Sequence, residues 1–173
     1  LSILWSWIYQ TEGGVLNCLL GKVGLPAVGW LTSERLSMVS IALMKVWTDI
    51  GLYSVLFLGS LQAVPRELLE SGKLDGATPG QLFWHITLPL LNPAIVFSVV
   101  MATIWGLQIF AEPFLMTQGG PIDSSQTLAL YLYEEAFIWS RLGYGCALGV
   151  VTSIIILLAT LMQRRLIEQR ISY

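Results

Sequence analysis

The chain has 173 residues, 55% hydrophobic and only 12% charged, with a mean hydropathy of +0.70. A water-soluble domain carries roughly 25% charged residues, so much of this surface must face lipid. Nine basic against eleven acidic residues leave a net charge of −2, which excludes the basic patch of a nucleic-acid binder. Two cysteines and the apolar content exclude a disordered chain, a collagen and a disulfide-stapled secreted scaffold. A membrane protein is the leading class, and the long apolar stretches taken next read as an all-α fold.

Residues 1–36 open on Leu1-Ser2-Ile3-Leu4-Trp5, with no initiator Met, no basic n-region and no lipidation motif. Such an opening reads as the later part of a longer chain. Trp5, Trp7 and Trp30 are expected there as membrane-interface anchors. The first span is 37–62. Lys45 and Asp49 lie inside it, on one helical face, where each can neutralise the other as a structural pair. A polar loop, 63–92, follows. The second span, 93–116, opens at Pro93 and holds one ionisable residue, Glu112, near its far end.

Loop 117–143 places Leu128, Leu132, Ala136 and Trp139 at helical spacing, which predicts an interfacial helix over 125–140. Glu134 and Glu135 are expected on its wet side. The last span, 144–163, is free of charge from Tyr144 to Met162. At ~1.5 Å per residue that stretch covers about 28 Å, one hydrocarbon core. Residues 164–173 form a tail. Arg66, Lys73, Arg164, Arg165 and Arg170 fall on one side, against Lys22, Arg35 and Arg141 on the other. The positive-inside rule therefore puts 63–92 and the tail in the cytoplasm, and 1–36 and 117–143 outside.

The cytoplasmic loop reads as two short helices. Pro65 suits the first turn of one, and Glu67 complements its dipole. Leu68, Leu69 and Leu74 give it apolar surface, and Gly72 lets another backbone approach. Asp75-Gly76 signals the turn that ends it. Thr78-Pro79-Gly80-Gln81 has the form of a capping box opening a second helix through Phe83, Trp84 and Ile86, stopped at Leu88-Pro89. Two readings fit equally: a docking platform, or an amphipathic hairpin lying on lipid.

Glu70-Ser71-Gly72, then Gly76, then Ile86-Thr87-Leu88-Pro89 resembles the EAA loop of binding-protein-dependent ABC importer permeases. Leu74-Asp75-Gly76-Ala77 and the run through Pro93 are similar to the sugar-permease branch, the maltose and glycerol-phosphate type. The resemblance extends to Gly14-Val15-Leu16-Asn17, to Trp47, to Leu61-Gln62-Ala63-Val64-Pro65, to Thr117-Gln118-Gly119-Gly120-Pro121 and to Leu142-Gly143-Tyr144-Gly145-Cys146-Ala147. It departs at Ser71 and Gly72, where the family usually carries two alanines.

The resemblance implies a polytopic helical bundle in a bacterial inner membrane, here as its C-terminal part with three transmembrane helices. It implies an EAA helix seated in a groove of a cytoplasmic ATPase subunit. Leu68, Leu69, Glu70, Ser71, Gly72, Leu74, Asp75, Gly76, Ala77, Ile86, Leu88 and Pro89 would be the coupling surface. Implied partners are a second permease subunit, the ATP-binding subunits, an extracytoplasmic solute-binding protein, membrane lipid and a carbohydrate or polyol substrate. Glu70 either caps its helix, pairs with a basic residue of the ATPase, or is a solvated helix charge.

The chain itself shows no phosphate-binding G-x-x-x-x-G-K-[ST] motif, so no cofactor or catalytic residue is expected and ATP hydrolysis belongs to a partner. Trp105, Gln108 and Glu112 share a face of the second span. That face suits a sugar, with hydroxyls to bond and CH faces to stack, or serves as glue between helices. His85 is the only histidine, so a multi-His metal site is excluded. Two rivals remain: a membrane-anchored assembly protein that docks a cytoplasmic partner without transport, and a membrane enzyme built around His85 or Glu112.

Overall fold

The computed structural model describes residues 1–168, with side chains to Arg165; Arg170 and the rest of the expected tail lie outside the described residues. Every regular element among them is helical. In chain order these are α1 (Ser2–Ile8), α2 (Val15–Lys22), α3 (Ser37–Gln62), α4 (Arg66–Leu74) and α5 (Pro79–Leu82). They are followed by α6 (Leu88–Leu90), α7 (Asn92–Leu107), α8 (Ala111–Met116), α9 (Leu128–Tyr133) and α10 (Leu142–Glu168). Two π-helical turns, Phe83–Thr87 and Glu134–Ile138, continue α5 and α9.

Helices α3 and α10 are long and apolar enough to cross a membrane, with Ser37–Gln62 and Leu142–Arg165 as the stretches that qualify. Their exposed faces are lined with Val, Leu and Ile, as lipid contact requires. Thr152 and Ser153 of α10 each donate to the carbonyl four residues back, which satisfies those two hydroxyls on an otherwise apolar helix. A third span requires the pair Pro79–Leu90 and Asn92–Leu107, bent by 61° at its break.

The chain divides into two compact units, Leu1–Thr48 with Trp105–Ile156, and Asp49–Ile104 with Leu157–Tyr173. The core of the first holds Tyr9, Ile41, Met44 and Leu130. Asn17, buried at the start of α2, organises its outer segment. Its amide donates to the carbonyls of Gln10, Thr11 and Val28, and its oxygen accepts from Val28 N–H and Trp30 Nε1. Gly14 stands beside this clamp because a Cβ there would run into the Gln10 carbonyl.

Several expectations give way here. Trp5 and Trp30 are half-buried and pack their rings against buried Tyr9, whose hydroxyl donates to the Ser40 carbonyl. Trp7 alone of the three is exposed, at 62%. Glu135 is not on a wet face but 6% exposed, paired with Arg141 at 3.3 Å. The π turn rotates it inward, since each extra residue per turn shifts the exposed face. Glu134 accepts from Gln126 Nε2 at 2.8 Å. Residues 93–116 do not form one helix. The chain leaves helical geometry between Leu107 and Ala111. Residues 164–168 belong to α10 rather than to a tail.

Candidate functional site

Within the second unit, α4 and α5 form a hairpin. Helix α4 ends because Gly76 adopts φ +81°, a conformation with little cost only for glycine, and nothing lies within 4 Å of where its Cβ would be. Helix α5 starts on a capping box: Thr78 Oγ1 accepts from Gln81 N–H, and Gln81 Oε1 accepts from Thr78 N–H at 2.8 Å. Gly72 is buried against the second arm, where a Cβ would meet Leu82 Cδ2 at 2.6 Å and Ile86 Cδ1 at 3.1 Å. Glycine in place of the family's alanine thus accompanies a close approach of Leu82.

Pro89 does not stop the second arm. It sits in the first turn of α6, directly after the π turn, where its missing N–H leaves no intrahelical bond broken. His85 Nδ1 lies 3.0 Å from the Gln81 carbonyl, so the ring is tied to its own helix.

Of the expected coupling residues, Gly72 is buried and Leu69, Ala77, Ile86 and Leu88 are half-buried. Leu68, Glu70, Ser71, Leu74, Asp75, Gly76 and Pro89 are exposed. Leu74 is 89% exposed at the tip, an unusual position for a leucine in water.

In the first unit, the break after α7 carries the second group. Trp105, Gln108 and Glu112 line one hollow of about 310 Å³, together with Lys45 of α3. They do not share a continuous helical face, as the sequence spacing implied. The break itself brings them to one wall. Backbone can leave helical geometry at membrane depth only where protein or water satisfies it. Here Thr127 Oγ1 donates to the Ile109 carbonyl at 2.7 Å. Phe110, Phe114 and Tyr133 stack behind the break and hold it.

Sequence reasoning missed Lys45 as a member of this group, although a charge inside an apolar span is itself the signal. It also missed Thr127, whose partner lies 18 residues away.

An all-helical chain with at least two helices long and apolar enough to cross a membrane defines a class, that of helical membrane proteins. The chain belongs to the family of inner membrane components of binding-protein-dependent transport systems, whose family model matches residues 1–173.

Among its relatives is the sulfoquinovosyl glycerol transport system permease protein of Agrobacterium fabrum, 35% identical over 97% of this chain and 54% of the relative. The arabinooligosaccharides transport system permease protein of Bacillus subtilis is 34% identical over 91% of this chain and 50% of its own length. The chain thus spans about half the length of the curated relatives it matches. In fold it is similar to a bacterial ABC transporter involved in the import of the acidic polysaccharide alginate. That match has a TM-score of 0.85 at 24% identity, covering 99% of this chain and 60% of the other.

Proposed function

We propose that this chain is part of the translocation subunit of an ABC importer for a carbohydrate or related polyol. In this reading it is driven by cytoplasmic ATPase subunits through the α4–α5 hairpin. The observation that carries the coupling is the tip of that hairpin. A leucine 89% exposed, one helical turn beyond Glu70, is stable in water only at a cost that a docked partner removes. The hairpin is preformed by its cap, its left-handed glycine and the Gly72–Leu82 contact, so a partner gripping it moves it as one body.

The second permease, the solute-binding protein and lipid complete the assembly, with 63–92 facing the cytoplasm and the turn 117–121 facing outward. The names of the relatives and the hollow at the helix break support a carbohydrate. Trp105 offers a ring face, and Gln108, Glu112 and Lys45 offer donors and acceptors for hydroxyls.

The test is ATP-driven uptake by the full-length protein assembled with its partners. Leu74→Asp alters a side chain that touches almost nothing, so folding changes by less than about 0.5 kcal/mol. Uptake is expected to fall at least about tenfold, which corresponds to ~1.4 kcal/mol of lost docking. Undiminished uptake would sink the coupling role. Trp105→Ala and Gln108→Ala are expected to raise the half-saturation for sugar without altering basal ATP hydrolysis.

A further inference from the structure

We propose that a second hollow, at the opposite end of α8 from the helix break, is a binding site for an uncharged saccharide unit. The proposal rests on the carbohydrate reading above and deepens it: the substrate would be longer than one ring. This hollow, about 840 Å³, is large enough for more than one sugar and lies wholly within the first unit.

Its two walls are prebuilt. The segment Gln10–Glu12 is held by the Asn17 amide, which bonds the Gln10 and Thr11 carbonyls. The facing turn is held by Ser125, whose Oγ lies 2.7 Å from both the Gly120 carbonyl and Thr117 Oγ1. Fixed walls spare the ligand the cost of ordering them.

The lining chemistry selects the ligand class. Trp7, 62% exposed, presents a ring at the rim. Gln10, Thr11 and Thr32 supply amide and hydroxyl groups, and Glu12 the one carboxylate. Among the described residues no Lys or Arg lines it, so a phosphate, sulfonate or carboxylate ligand would meet no counter-charge. A flat apolar face beside amide, hydroxyl and carboxylate groups, with no cation among the described lining residues, is what a neutral sugar ring requires.

Helix α8 joins the two hollows: Glu112 near its start lines the one at the break, and Met116 at its end lines this one. Four residues at ~1.5 Å rise set Glu112 and Met116 about 6 Å apart along the helix, so linked sugar rings could occupy both hollows at once, one ring in each.

The experiment is ATP-driven uptake of arabinose, arabinobiose and arabinotriose by the full-length protein reconstituted with its partner subunits. Trp7→Ala and Glu12→Ala are expected to raise the half-saturation for the trisaccharide about tenfold and to leave the monosaccharide unchanged, with Trp7→Phe keeping most of the affinity. An equal loss at every chain length would overturn the saccharide site and mark the hollow as a seat for the solute-binding protein. No change at any length would also overturn it. Failure of the unsubstituted complex to take up any of the three sugars would overturn the carbohydrate reading together with this site.

Discussion

Side chains of the unit 1–48/105–156 bond across long stretches of chain, whereas those of the hairpin Arg66–Leu90 bond within a turn. Tyr9 reaches Ser40, Ser37 lies 2.9 Å from Ser124, and Thr127 reaches Ile109. In the hairpin, Ser71 bonds Leu68, Thr78 bonds Gln81 and His85 bonds Gln81. The first arrangement fixes a scaffold around two hollows. The second makes a small self-contained hairpin whose shape depends on local bonds. Under the proposed function the first region would position a solute and the second would receive force, and the two bonding patterns suit those tasks.

The comparison breaks most sharply at Asn17. Replacing it with Leu strands the carbonyls and the indole N–H that it satisfies, and is expected to cost about 3 kcal/mol. Thermal unfolding of the full-length protein in detergent checks this; a midpoint within a degree of the parent would refute the clamp. Gly14→Ala drives a methyl into the Gln10 carbonyl and should cost about 2 kcal/mol in the same assay. Loss of any one side-chain hydrogen bond in the hairpin should not match either, because among the described residues those bonds are all local.

Glu135→Gln is a smaller perturbation. Arg141 is 67% exposed, so solvent screens the pair, and a loss of about 1 kcal/mol is expected. Gly145 packs tightly against Ala136 at the same junction, where a Cβ would meet Ala136 Cβ at 2.6 Å.

The smallest effect concerns pH. The Tyr144 hydroxyl beside Tyr131, together with the Glu135 carboxylate, pushes its phenol from 10.0 up to about 12. A raised value means the folded state holds the proton more tightly. Its contribution is therefore complete below pH 10 and lost as pH climbs toward 12. Tyr131→Phe should flatten that part of the stability profile, and an unchanged slope would discount the contact.

Much of the hairpin could be read from sequence because its determinants are local. Thr78-Pro79-Gly80-Gln81 specifies its cap and Asp75-Gly76 its turn, whatever surrounds them. The helices over 37–62 and 142–165 follow from length and apolar content. The break at 108–110 was hidden for the complementary reason. Hydropathy counts apolar residues, and Ile109 and Phe110 keep the count high, while the bond that stabilises the break comes from Thr127. Glu135 was misread because a period of 3.6 does not hold through a π turn.

The coupling role is tested most directly by measuring ATP hydrolysis and uptake together in proteoliposomes containing the full-length protein and its partners. Gly76→Val puts a β-branched residue at φ +81° with open space around it, so the backbone and nothing else is disturbed. Hydrolysis should persist while uptake falls at least about tenfold, and Gly76→Asn, which tolerates that conformation, should keep most of it. Full uptake by Gly76→Val would contradict the hairpin as the element that transmits the motion.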